Sequence, residues 1–90
     1  MTMPSERTRN VLQAGAFLKE LAASEALPKE VREEAHRLLR HYPTVRDIEA
    51  IARQGEALRE VTKSVLALPY LTSEIEDDWF RGYRLGPHRT

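Results

Sequence analysis

The run Glu33-Glu34-Ala35-His36 carries the most suggestive ligating chemistry in the chain. Glu33 and His36 stand three apart, so on a helix they share one face, as in the Glu-x-x-His steps of di-iron bundles. Such a centre needs two of these steps and two further glutamates, and only one step occurs. The spacing therefore reads as a solvated, ion-paired surface. The three histidines, His36, His41 and His88, add no metal site. His36 and His41 are five residues apart and diverge by about 140° around a helix. His88 falls near the chain end. Cysteine is absent, which removes disulfides, thiolate nucleophiles and thiolate-bound metals. The glycines Gly15, Gly55, Gly82 and Gly86 are too dispersed to cradle a phosphate. No serine or threonine comes with a recognisable base and oxyanion donors. The expectation is a non-enzymatic protein with no cofactor and no bound metal.

Two segments suit binding better than catalysis. Trp79, Phe80 and Tyr83 are three of only six aromatic residues, gathered within five positions. Aromatic residues and arginine dominate interface energetics, and Arg81 and Arg84 stand among them. Acidic Glu74 to Asp78 and basic Arg81 to Arg89 flank the cluster. This pattern suggests a docking helix for another protein or a second copy of the chain. The alternative is that Ile75, Trp79 and Tyr83 close the chain's own core. The second segment, Leu27 to Gln54, has a helix-turn-helix outline. Arg37, Arg40, His41, Arg46 and Arg53 would supply its phosphate contacts. Asp47 and Glu49 open the presumed recognition helix, however, and repel phosphate. That helix start also lacks the side chains that read base edges.

Positioning these groups falls to helices. Glycine and proline number four and five, alanine, leucine, glutamate and arginine abound, and no alternating β-branched run marks a strand. A first helix is predicted from about Ser5 to Ala23, with Pro4 at its start. Its apolar stripe is Val11, Ala14, Leu18 and Leu21, widened by Phe17 and Ala22. Ser24 to Leu27 form a connector. A second helix begins near Pro28 and directs Val31, Ala35, Leu38 and Leu39 at the core, with Tyr42 beside them. Its acidic start and basic end complement the helix dipole, and Pro43 stops it. A third helix, capped by Thr44 with Asp47 three residues on, runs to about Ala67. Ile48, Ile51, Ala52, Leu58, Val65 and Leu66 give it apolar surface; Gly55 on that stripe either allows a close helix crossing or breaks the segment in two, and a single helix, kinked there, is the expectation. Ser73 and Glu76 cap a short fourth helix that ends at Gly86-Pro87.

The fold expected is all-α: one domain over residues 1–90, a small bundle of three main helices plus a short C-terminal helix. Residues 85–90 are expected to form a flexible tail. Fourteen basic residues balance fourteen acidic ones. A neutral chain lacks the field that draws proteins to nucleic acid and resists self-association weakly. The polar opening has no signal-peptide core, and no apolar run approaches a membrane span. A cytoplasmic protein without a membrane partner is expected.

The opening Met1-Thr2-Met3-Pro4-Ser5-Glu6-Arg7-Thr8-Arg9 is distinctive. So are Phe17-Leu18, Leu27-Pro28, Val31-Arg32, Ala35 and Leu38-Leu39-Arg40-His41-Tyr42-Pro43. Together these resemble a family of short bacterial proteins without an established activity, over about residues 1–51. The resemblance implies a bacterial cytoplasmic origin and carries no catalytic residue across. It also implies a role beyond capping for Ser5 to Arg9. The functional expectation is a protein–protein interaction or regulatory module working through Trp79, Phe80, Tyr83, Arg81 and Arg84, as a dimer or with another protein. A DNA-binding regulator, or a small phage- or defence-related inhibitor, is the alternative.

Overall fold

A computed structural model describes residues 3–62 and 69–89. It is all-α: α1 (Pro4–Ala23), α2 (Lys29–Arg40) and α3 (Val45–Thr62), followed by an irregular C-terminal segment holding one 3-10 turn (Asp77–Phe80). Among the described residues there is no strand, and no helix is long and apolar enough to cross a membrane. Val65, Leu66 and the expected helix end at Ala67 lie outside the described residues.

The helix starts follow local chemistry. Pro4 sits in the first turn of α1, and the Met3 N–H donates to Glu6 Oε1 at 3.0 Å. Pro28 precedes α2, whose last turn carries Arg37 and Arg40 against the negative dipole end. Thr44 and Asp47 cap α3 reciprocally. The Thr44 N–H donates to Asp47 Oδ2 at 3.0 Å, and the Asp47 N–H donates to Thr44 Oγ1 at 3.2 Å. Helix α3 runs through Gly55 without interruption.

The face that α1 buries differs from the expected one. Thr8, Leu12, Gly15 and Ala16 are buried, and Val11 packs beside them. Ala14 and Phe17 are exposed, while Leu18, Leu21 and Ala22 are only half-buried. Small residues set this choice. A Cβ on Gly15 would lie 3.1 Å from the Tyr42 ring, so glycine gives that ring room to seat on α1. The Tyr42 hydroxyl is tethered there, donating to the Val11 carbonyl at 2.6 Å. On α2, Ala35 is buried, whereas Val31 and Leu38 face outward. On α3, Val45, Ile48 and Ala52 turn inward and Ile51 and Leu58 do not.

The C-terminal segment completes the core. No fourth α-helix forms, because its cap is diverted. The Ser73 hydroxyl donates to Glu56 Oε1 at 2.7 Å and its N–H to Glu56 Oε2 at 3.1 Å. With Ser73 held on α3, residues 74–76 take up no helix, the Ile75 N–H closes a tight turn on the Ser73 carbonyl at 3.1 Å, and only the 3-10 turn follows. That turn buries Trp79 and Phe80 against Leu12, Ala16, Val45 and Ile48, and Leu71, Ile75 and Tyr83 pack around them.

The same segment runs parallel to α1 and is bonded along its length. Thr8 donates its hydroxyl to the Pro4 carbonyl at 2.8 Å and accepts the Thr72 N–H at 2.9 Å. Arg7 donates to the Tyr70 carbonyl at 2.8 Å, its guanidinium 4.0 Å over the Tyr70 ring. The Gln13 amide donates to the Trp79 carbonyl at 2.9 Å. The Lys19 ammonium donates to the carbonyls of Leu85 and Pro87 at 3.1 and 3.3 Å. Residues 85–89 therefore do not stand off as a tail. His88 is buried, and its carbonyl accepts the Val45 N–H at 3.1 Å.

Candidate functional site

The aromatic cluster singled out in the sequence divides. Trp79 and Phe80 are 9% and 7% exposed, so they belong to the core and present no docking surface. Tyr83 is half-buried on the same cluster. Arg81 is exposed and pairs with Asp78. Arg84 is exposed beside an open groove.

That groove lies at the tip of the α1–α2 hairpin and has a volume of about 630 Å³. Its first wall is the last turns of α1, with Phe17, Glu20 and Leu21; its base is the connector through Ala26 and Leu27; its second wall is Arg84 and Leu85. Each part is fixed by backbone chemistry. The Ser24 N–H closes α1 on the Leu21 carbonyl, and the Leu27 N–H closes the connector on the Ser24 carbonyl. Arg32 reaches back from α2 to the Leu27 carbonyl at 3.2 Å. On the second wall, Glu20 accepts the Arg84 N–H, and Lys19 holds the Leu85 carbonyl. Gly86, at φ +73°, turns the chain there, a conformation that side-chain-bearing residues avoid. Phe17 and Leu85, both lining the groove, stay 52% and 42% exposed. The groove thus offers apolar sides with Glu20, Glu25 and Arg84 at its rim.

The arginines expected to touch phosphate do not assemble into a helix-turn-helix reader. In that motif the first helix braces the second. Here α2 and α3 make no packing contact among the described residues, and each packs on α1 instead. Arg37 is bidentate to Glu34 at 2.6 and 2.9 Å. This holds the Glu34 carboxyl below the usual carboxylate range and raises Arg37. Arg53 pairs with Glu49 at 3.6 Å. Arg40, His41 and Arg46 are exposed. Arg37 and Arg40 line a second, shallower depression of about 520 Å³ with Lys29, Glu33 and His36.

The Glu33–His36 step stays on the surface, with Glu33 3.6 Å from Lys29. Among the described residues no three histidine or carboxylate side chains converge in a way that could hold a metal. Burial pushes the Tyr42 phenol up, and its hydroxyl serves the Val11 carbonyl. Sequence reasoning missed the groove because its walls come from positions 17–27 and 84–85. Its one local sign was Phe17, an aromatic residue at the edge of an otherwise small-residue helix face. No family model, curated protein or solved structure matches the chain.

Proposed function

We propose that this chain is a non-enzymatic, cytoplasmic protein-interaction module, and that its binding surface is the groove at the α1–α2 hairpin tip. The observation that carries this reading is the pair Phe17 and Leu85, large apolar side chains that both stay exposed and both line one open cleft. Exposed apolar surface with a polar rim is the usual mark of a protein-binding site. The occupant is a short amphipathic segment of a partner protein. Its apolar side chains lie between Phe17 and Leu85, and an acidic residue at one end meets Arg84. Arg84 is the member of the aromatic–arginine cluster that lines the groove and stays exposed, while Trp79 and Phe80 fill the core.

Selection of short random peptides against the immobilised protein tests this. Enriched peptides should pair apolar side chains with an acidic residue. Phe17→Asp and Leu85→Asp should each abolish their binding while the thermal midpoint stays near that of the parent, because neither residue is in the core. Arg84→Glu should weaken acidic peptides selectively. Peptides that bind equally well to both aspartate variants would contradict the proposal, as would the absence of any enriched sequence.

A further inference from the structure

The outward face of α3 carries a second unpartnered surface, distinct from the groove. Ile51, Leu58 and Val61 are 53%, 57% and 81% exposed. With Gln54 and the exposed small residues Ala50 and Ala57 they form one stripe, about 120° wide and roughly opposite the buried Val45, Ile48 and Ala52. The 3-10 turn packs on the other side of α3, at Val45 and Ile48, and this stripe stays uncovered among the described residues.

We infer that this face is a self-complementary interface on which two copies of the chain pair through antiparallel α3 helices. Charge and register both point to that occupant. Arg53 and Glu60 lie on the same flank of the stripe, about 20° apart around the helix axis. In an antiparallel pair related by a two-fold axis, matching flanks of the two helices meet. An axis passing between Glu56 and Ala57 sets Arg53 of each copy level with Glu60 of the other, giving two symmetric ion pairs. That same register sets Ile51 within one residue of Val61 of the second copy and brings the two Leu58 side chains near the axis, about 4.5 Å apart along it. One placement thus satisfies the apolar contacts and the charges at once. Ala50 and Ala57, at the edge of the stripe nearest the charged flank, allow the helix axes to approach closely. A parallel pair is disfavoured. It would turn the Arg53–Glu60 flank toward the opposite flank at Gly55, where the chain's own Pro69 packs 3.5 Å from a Cβ built on that glycine. The balanced net charge opposes pairing little. One helix face is at the small end of interface sizes, so pairing depends on concentration.

Cysteine scanning suits a chain that has none. Leu58→Cys should form a disulfide-linked homodimer on mild oxidation. Ile51→Cys and Val61→Cys should each link poorly alone and readily when mixed. Mass measured against concentration should rise from monomer to dimer, and Leu58→Glu should weaken dimerisation about tenfold or more with helicity unchanged. Arg53→Glu or Glu60→Arg alone should weaken pairing, and the two together should restore it. A monomer at every concentration tested would overturn the inference. So would a dimer indifferent to Leu58→Glu, or efficient self-linking at position 51 and position 61 alone.

Discussion

Replacing Gly15 with alanine sets two opposing effects against one another. Within a helix, glycine to alanine ordinarily gains about 1 kcal/mol from reduced backbone entropy. At this position the new Cβ would sit 3.1 and 3.2 Å from two Tyr42 ring carbons and 3.4 Å from the His88 Cβ. The ring cannot swing away freely, because its hydroxyl is bonded to the Val11 carbonyl at 2.6 Å. Overpacking of a seated side chain costs about 1–3 kcal/mol, and losing the hydroxyl bond adds about 1 kcal/mol. The clash wins, and Gly15→Ala should destabilise the protein by about 1–3 kcal/mol, lowering the thermal midpoint by about 5–20 °C. Urea and thermal unfolding followed by circular dichroism measure it. Two comparisons sharpen the test. Gly82→Ala, where a Cβ meets nothing within 4 Å, should leave the midpoint unchanged or slightly raised. Tyr42→Phe frees the ring, so Gly15→Ala should cost less in that background than in the parent. A Gly15→Ala protein more stable than the parent would refute the seating of Tyr42 on α1.

Two further perturbations probe the bonds that tie the C-terminal segment down. Thr8→Val removes a fully buried hydroxyl that donates to the Pro4 carbonyl and accepts the Thr72 N–H. It should cost about 1–3 kcal/mol, and Thr8→Ser should recover most of it; equal unfolding midpoints for Thr8→Val and the parent would contradict the clasp. Acid should loosen two more ties. Thr44 holds Asp47 below the usual carboxylate range, and Ser73 does the same for Glu56. A carboxyl depressed in the folded state takes up protons first in the unfolded chain. Its contribution is therefore complete above the unfolded pKa and is lost as pH falls through the folded value, below about pH 4. The urea midpoint of Glu56→Gln should fall less steeply over that range than the parent's; parallel curves would show that the Ser73 tie carries no stability.

How much could be read from the sequence depended on distance along the chain. Pro4, Pro28 and Pro43 mark helix boundaries through constraints within one or two residues, and Thr44 with Asp47 caps α3 as its spacing implies. The buried face of α1 was harder to read. Large side chains such as Phe17 and Leu18 draw the eye, while the crossing is made by Gly15 and Ala16, whose value is the approach they permit. The fourth helix failed for a related reason. Ser73 and Glu76 have the spacing of a capping box, yet Glu56, seventeen residues earlier, takes both Ser73 donors. The bonds from Thr8, Gln13 and Lys19 to residues 72–87 span more than sixty positions and leave no local pattern. The groove inherits that difficulty, since one wall exists only because Lys19 and Glu20 fix Arg84 and Leu85 beside α1.

Everything proposed for the surface depends on the C-terminal segment being part of the core, with Trp79 inside it. Trp79 is the only tryptophan in the chain, so its fluorescence reports that one position. The native protein should emit at distinctly shorter wavelength than the urea-unfolded chain and resist acrylamide quenching. Both properties should disappear in the same cooperative transition that melts the helices. Native emission matching that of the unfolded chain, quenched as readily, would contradict the placement of Trp79 in the core with Leu12 and Ile48.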